Sequence, residues 1–142
     1  MNSTLLLSKE HVAQLLQQAG INPTQQRIEI AQILFAKPQH LSAEQVLQIV
    51  NASSDLVSKA TVYNTLGLFA SKGLLRQVII DPSKVFYDSN TGVHHHFYNV
   101  DTGTLTDIES DQVVVQKLPI LPDGTIADGV DVIIRLRQQT PD

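Results

Sequence analysis

The most informative absence in this 142-residue sequence is cysteine, of which there is none. Without thiols the chain can form neither disulfides nor a thiolate nucleophile, and we expect no cysteine-bound structural zinc. Aromatic residues are scarce at 5%, and charged residues make up only 17%. A hydrophobic content of 42% nevertheless fits a folded protein rather than a disordered one.

Long apolar runs are missing as well. No segment approaches the roughly 20 apolar residues of a membrane-spanning helix, and none near the start resembles a secretory signal. We therefore expect a cytoplasmic protein with no membrane partner.

Sequence signatures of catalysis are also missing. There is no nucleophile elbow, no glycine-rich phosphate loop and no His-Glu-x-x-His helix. We therefore expect that the protein is not an enzyme. A metal-dependent hydrolase built on a run of three histidines is the alternative.

Charge is distributed unevenly along the chain. The net charge is −4 overall, and it divides into +1 over residues 1–89 and −5 over residues 90–142. The first part lacks the strongly basic surface typical of DNA-binding domains. Any affinity for DNA should therefore be modest and strongly dependent on salt.

The helix predicted between Ser58 and Gly73 organises the chain. Ser58 is a good N-cap, and Gly73 can adopt the left-handed conformation that ends a helix. One face is apolar and consists of Val62, Leu66, Phe69 and Ala70. The opposite face is polar and nearly uncharged, and consists of Lys59, Tyr63, Asn64 and Gly67. Such a face suits a DNA groove, although an ordinary amphipathic helix is an equal alternative.

The elements around this helix predict a winged helix-turn-helix. Ser8, Thr24 and Ser42 are candidate N-caps, and they predict earlier helices over residues 9–19 and 25–36 and from Ser42 onward. Apolar runs over residues 74–80 and 85–87 predict a hairpin after the organising helix. In this arrangement the last helix enters the major groove. Arg76 at the base of the hairpin and Lys84 at its tip are then candidate phosphate contacts.

A polar hinge over residues 89–92 predicts two domains. We expect an α+β fold with a winged-helix DNA-binding domain over residues 1–89 and a small α/β domain over residues 90–142. The second domain should contain strands over residues 93–98, 104–108 and 130–136 and a short helix around 111–117. These strands are too few to cover themselves, so we expect this domain to form a homodimer.

The run His94-His95-His96 is the main candidate for ligand binding. On a strand, His94 and His96 share one face, and His95 points to the other. Further donors are Asp107 on the next strand, Asp88 before the hinge and His40 near the start of the third helix. Imidazole and carboxylate ligands together suit Fe, Mn or Zn. An exposed polar strand with a chance run of histidines is the alternative.

These segments resemble a known family. The matching segments are His40-Leu-Ser-Ala-Glu44, Ala60-Thr-Val-Tyr-Asn-Thr-Leu66, Gly73-Leu-Leu75 and His94-His-His96. Their order and spacing are similar to those of the ferric uptake regulator family, from about Leu15 to Arg137. The chain is most similar to the iron response regulator branch, because Asn64 follows the tyrosine, aromatic residues follow the histidines, and residues 131–137 match its ending.

The resemblance implies a dimeric winged-helix transcription regulator that responds to iron status, in some members through haem. It implies a sensing site formed by His40, Asp88, His96 and Asp107. The chain has Tyr98 where the family normally has a further histidine in that site.

The resemblance also implies that a second metal site of the family is lost. Of its ligands only His95 is retained, and the other positions are occupied by Phe97, Val114 and Asp131. The family's Cys-x-x-Cys pairs and the Cys-Pro haem motif of some iron response regulators are absent.

Taken together, the residues and the resemblance predict an iron-responsive regulator that binds an A/T-rich palindromic operator as a homodimer. Tyr63 and Asn64 would touch base edges, and Lys59, Arg76 and Lys84 would hold phosphates. The effector would be haem or divalent Fe or Mn, with haem held by His94, His95 and His96 beside Phe97 and Tyr98. A metal- or haem-binding module without operator binding is the alternative.

Overall fold

The computed structural model describes residues 7–53 and 57–141. The chain divides into two compact units, one up to Thr91 and the other from Gly92. The sequence analysis placed this boundary between residues 89 and 90. Within the described ranges, no helix is long and apolar enough to cross a membrane.

The first unit consists of four helices and a small sheet. In chain order its elements are α1 (Lys9–Gln18), α2 (Gln25–Leu34), β1 (His40–Ser42), α3 (Ala43–Ser53), α4 (Lys59–Ser71), β2 (Arg76–Asp81) and β3 (Lys84–Asp88). The antiparallel sheet has the order β1-β3-β2. This is the predicted winged helix-turn-helix, with one strand, β1, that the sequence analysis did not predict.

Local hydrogen bonds fix the starts of these helices. The side chains of Ser8, Thr24 and Ser58 each accept a hydrogen bond from the backbone N–H three residues later, over 3.1–3.3 Å. At α3, Ser42 Oγ accepts from the Gln45 N–H at 3.2 Å, and Gln45 Oε1 accepts from the Ser42 N–H at 2.8 Å. Each such cap stabilises its helix by about 1 kcal/mol. All four predicted caps are confirmed.

The end of α4 sets the turn into the wing. Gly73 has a φ of +78°, where a side chain would be strained. Its N–H donates to the Ala70 carbonyl at 3.1 Å, and the Leu74 N–H donates to the Phe69 carbonyl at 3.0 Å. This pair of bonds is a Schellman motif, which satisfies the last carbonyls of the helix.

One face of every helix contributes side chains to the core of the first unit. The contribution of α4 is Val62, Leu66 and Phe69, all with no exposed surface, and the rings of Phe69 and Phe35 lie 6.4 Å apart. Burying a side chain of this size stabilises the fold by about 1.5–3 kcal/mol. The apolar stripe predicted for this helix is thus confirmed, and its polar face points away from the core.

The second unit contains a three-stranded sheet. Its strands are β4 (His95–Asn99), β5 (Thr104–Ile108) and β6 (Ile133–Leu136), in the order β5-β4-β6. β4 pairs with β5 antiparallel and with β6 parallel. The strand predicted over residues 104–108 is confirmed residue for residue.

The helix predicted around residues 111–117 is wrong. The chain forms only a 3₁₀ turn over Ser110–Gln112, and residues 113–132 have no regular structure apart from one turn. Three consecutive valines, Val113 to Val115, lose side-chain freedom in a helix, and Pro119 restricts the residue before it. The apolar side chains of this segment are also mostly exposed, so no packing surface in the single chain offsets those costs.

Candidate metal centre and nucleic-acid interface

The first unit positions two of the candidate metal ligands on adjacent strands. His40 on β1 lies directly opposite Asp88 on β3, so the two side chains share one face of the sheet. Asp88 is only 2% exposed, and its Oδ1 accepts a hydrogen bond from the Asn90 N–H at 2.9 Å. His40 was expected from the sequence only as a residue near the start of the third helix. It belongs to a three-residue strand that ends where the capping box of α3 begins.

The second unit positions two further candidates in the same way. His96 on β4 lies directly opposite Asp107 on β5, and His96 Nε2 is 3.3 Å from Asp107 Oδ1. His94 Nε2 approaches the same oxygen at 3.5 Å, and the two imidazole rings are 4.5 Å apart. The prediction that His94 and His96 share a face is confirmed, and Asp107 lies on that face.

His95 points to the other face and holds the edge strand. Its Nδ1 accepts a hydrogen bond from the Val132 N–H at 3.0 Å, immediately before β6 begins. An accepting Nδ1 places the proton of the neutral ring on Nε2. His95 thus fixes the start of β6 against β4.

Burial excludes the alternative of an exposed chance run. His94 and His95 are each 6% exposed, and His96 has no exposed surface. Buried imidazoles in a row need partners, because an unsatisfied polar group in the interior is costly. Here carbonyl, amide and carboxylate groups surround them.

Among the residues that the structure describes, His40, Asp88, His96 and Asp107 offer donor atoms for a metal ion. Each unit contributes one imidazole nitrogen and one carboxylate oxygen, ligands that suit Fe(II), Mn(II) or Zn(II). The donors come in two opposed pairs, one on each unit's sheet, and each pair is fixed by strand register.

The residues expected at the second metal site are arranged differently. Val114 is 75% exposed on the irregular segment, and Phe97 is half-buried on the face of β4 opposite to His96. The one retained histidine, His95, is occupied by the Val132 N–H.

The candidate DNA-reading residues lie on the exposed face of α4. Tyr63 is 42% exposed, and Asn64 and Lys59 are also exposed. Lys59 Nζ lies 5.7 Å from the centre of the Tyr63 ring and 4.0 Å from a Glu44 carboxylate oxygen. Both ends of that ion pair are well exposed, so it contributes little to stability.

An open cleft of about 390 Å³ adjoins this face. It is lined by Thr24, Gln25, Gln26, Arg27, Thr61, Asn64 and Thr65. Arg27 Nη1 donates to the Asn22 carbonyl at 2.9 Å, which holds the guanidinium near the start of α2. The position of the start of α2 beside Asn64 was not predictable from the sequence, because no local pattern relates two helices so far apart in the chain.

The two hairpin cations occupy different surroundings. Lys84 is exposed and follows a tight turn in which the Ser83 N–H and hydroxyl donate to Asp81 Oδ1 at 2.8 and 2.6 Å. These bonds lower the pKa of Asp81, which keeps the tip carboxylate charged. Arg76 is half-buried and lies directly opposite Asp88, on the face that carries the candidate ligands.

Comparison with known proteins identifies the family. The model of the ferric uptake regulator family matches residues 18–126. The chain belongs to the ferric uptake regulator family. The combination of a winged helix with a histidine-bearing sheet agrees with membership of the ferric uptake regulator family.

The sequence identity between this chain and individual family members is low. The chain is 31% identical over 98 residues to the peroxide-responsive repressor PerR of Staphylococcus aureus, a match that covers 69% of this chain and 66% of the relative. The match thus spans slightly less than two thirds of that relative's length. The fold of this chain is also similar to that of the ferric uptake regulator of Pseudomonas aeruginosa with manganese, at a TM-score of 0.67 and 25% identity. That likeness covers 89% of this chain and 97% of the other.

A second solved structure supports the fold alone. The ferric uptake regulator of Francisella tularensis with iron gives a TM-score of 0.64 at 23% identity, covering 82% of this chain and 90% of the other.

Proposed function

We propose that this protein is a metal-responsive transcription repressor that binds operator DNA as a homodimer. The observation that carries the proposal is the pair of opposed donor sets, His40 with Asp88 and His96 with Asp107. One Fe(II) or Mn(II) ion would take its ligands from both pairs. Membership of the ferric uptake regulator family supports a regulator rather than an enzyme, and we propose a cytoplasmic location.

A ligand of this kind would regulate by linkage. His40 and Asp88 belong to the unit that carries α4, whereas His96 and Asp107 belong to the other unit. An ion bound by both pairs favours those arrangements of the two units in which all four donors reach it. It changes operator affinity only by its unequal affinity for the DNA-bound and free forms.

Operator binding would use the polar face of α4. Asn64 can bond adenine bidentately, and the Tyr63 ring can lie against a thymine methyl, so we propose an A/T-rich palindromic site. Lys59, Arg76 and Lys84 would contribute phosphate contacts. Arg27 in the neighbouring cleft adds positive charge near Asn64.

The homodimer is supported by the surface of the second unit. Its exposed large apolar side chains include Val93, Val114, Leu118, Ile120, Ile126, Ile134 and Leu136. Monomeric proteins rarely expose so many apolar groups in one small unit, and a second copy would cover them.

Haem is the second candidate effector. Three histidines and the neighbouring Phe97 and Tyr98 motivate it, as does the resemblance of Asn64 and residues 131–137 to the iron response regulator branch. The geometry supports the metal ion better, because His94 and His96 approach one carboxylate oxygen and His95 is engaged with Val132.

The deciding experiment is an operator titration with and without ligand. We expect Mn(II) or anaerobic Fe(II) to change the affinity of the wild type for an A/T-rich palindrome, and Asp88→Asn to lose that response while retaining metal-free DNA binding. A response to haem alone, lost when His94, His95 and His96 are all changed to Ala, would replace the metal ion by haem. No binding to any palindrome would support a ligand-binding module without operator binding.

A further inference from the structure

Tyr98 removes one imidazole from the proposed metal site, and a nearby histidine can replace it. The family's sensing site normally has a histidine at this position, and here a tyrosine occupies it. His96 and Tyr98 point to one face of β4, and His94, directly before the strand, approaches Asp107 on that face. We propose that His94 is a metal ligand that takes the place of the missing histidine, entering from the other side of His96. This inference rests on the metal-sensing function proposed above.

The distances place three donors around one point. His94 Nε2 and His96 Nε2 lie 3.5 and 3.3 Å from the same oxygen, Asp107 Oδ1. The ring centres of the two histidines are 4.5 Å apart. Imidazole nitrogens and a carboxylate oxygen this close can move onto one ion by small side-chain rotations, since ligand bonds to such metals are about 2.0–2.2 Å.

The tautomer of His94 leaves the correct nitrogen for a metal. Its Nδ1 lies 2.8 Å from the Gly92 carbonyl oxygen, which can only accept, so Nδ1 must donate. The lone pair of the neutral ring is then on Nε2, the atom that faces Asp107. A hydrogen bond from the second ring nitrogen to a backbone carbonyl is the usual support of a metal-ligating histidine.

The supporting carbonyl has a further role. Gly92 is the first residue of the second unit, so the hydrogen bond that aims His94 is made where the chain divides. Binding of an ion by His94 therefore restricts the backbone at this point, which links occupancy of the site to the connection between the units.

The test is a titration of the full-length protein with Mn(II), and with Co(II) as a spectroscopic probe of the ligands. We expect His94→Ala to lose at least the 10- to 100-fold in Mn(II) affinity found for mere supporting partners of ligands, and to change the visible Co(II) spectrum. The matched control is His11→Ala, because His11 is an exposed histidine of α1 outside the site. It should titrate like the wild type.

A rescue separates ligation from structural support. In His94→Ala/Tyr98→His the family's own histidine is restored, so we expect Mn(II) affinity to return to within a few-fold of the wild type. His94→Gln keeps a donor for the Gly92 carbonyl without an imidazole, and should bind as weakly as His94→Ala. Thermal unfolding of the metal-free variants checks that each is folded.

The outcomes separate the two proposals. If the wild type binds neither Mn(II) nor Co(II), the metal-sensing function itself is wrong. If the wild type binds and His94→Gln matches its affinity and its Co(II) spectrum, His94 is not a ligand, and the four-residue site stands without it.

Discussion

The two units of this chain fill their interiors in opposite ways. The first buries aliphatic and aromatic side chains from four helices around α4. In the described part of the second, the buried residues are Tyr98, Leu105, Ile108 and the three consecutive histidines. Half of that interior therefore consists of imidazole rings. The first unit has an apolar core of its own, whereas we expect the second to gain stability from the ligands that its histidines and its surface bind.

The largest expected effect comes from removing the second copy that we expect the second unit to bind. Ile134 and Leu136 on the edge strand β6 are 41% and 38% exposed. We expect Ile134→Asp/Leu136→Asp to convert a dimer into a monomer, halving the mass measured by analytical ultracentrifugation, because buried carboxylates would be desolvated at the interface.

The control for that experiment lies in the first unit. Ile79 on the edge strand β2 is 56% exposed, and Ile79→Asp should leave the dimer intact. A dimeric Ile134→Asp/Leu136→Asp variant would exclude the exposed face of β6 as the interface, and a monomeric Ile79→Asp variant beside it would place the interface in the first unit.

Metal addition sharpens the comparison by stabilising one interior more than the other. At an Mn(II) concentration about 100 times the Kd, binding stabilises the protein by about 2.7 kcal/mol. Hydrogen exchange should show increased protection of the backbone amides of β4 and β5, and of the ligand-bearing strands β1 and β3, with helices α1 and α4 little changed. Asp107→Asn should remove the effect, and equal protection throughout both units would show that they respond as one.

A third prediction concerns the exposed face of α4, which the first unit leaves outside its core. Asn64→Ala should cost about 1–3 kcal/mol at one base position and relax specificity there, measured by titrating operator variants. A loss that is equal for specific and non-specific DNA would exclude a base contact.

Lys84→Ala supplies the contrast for Asn64. It should weaken binding to all sequences alike and reduce the slope of log affinity against log salt by about 1. Arg76→Ala should change that slope less, because Arg76 is half-buried opposite Asp88.

The smallest expected effect is a pH dependence in the core of the first unit. Burial raises the pKa of Tyr87 above 10.0, with the charge of Tyr63 adding to the shift and a hydrogen bond from Gln77 opposing it. The folded state thus holds this proton more tightly, and its contribution to stability is present below pH 10 and lost as pH rises through the folded pKa. Urea unfolding from pH 8 to 11 should show a shallower decline for Tyr87→Phe than for the wild type. Identical declines would contradict the shift.

What the sequence predicted well depends on neighbours in the chain. The caps at Ser8, Thr24, Ser42 and Ser58 use atoms three residues apart, and the alternation of the histidines follows from strand geometry alone. The described strand over residues 104–108 carries an alternating pattern between clear turn residues.

What it missed depends on distant partners. The three residues of β1 are a strand only because β3 pairs with them, and their sequence has no strand pattern of its own. His40 lies opposite Asp88 because of that pairing, so the sequence alone could not predict that these two residues are neighbours on one sheet. The helix predicted near residues 111–117 failed for the converse reason, since a local pattern found no surface to pack against.

The three consecutive histidines at the start of β4 also bear on how this sequence tolerates insertion and deletion. A one-residue slip of β4 against its neighbours exchanges the two faces of the strand. After such a slip, His95 would point to the face that carries Asp107, while His94 and His96 would point to the opposite face. Because the run is consecutive, both faces would still present an imidazole. A gene that gained or lost one codon before β4 would therefore keep part of the ligand set and part of the contact that holds β6, and later substitutions could restore the rest.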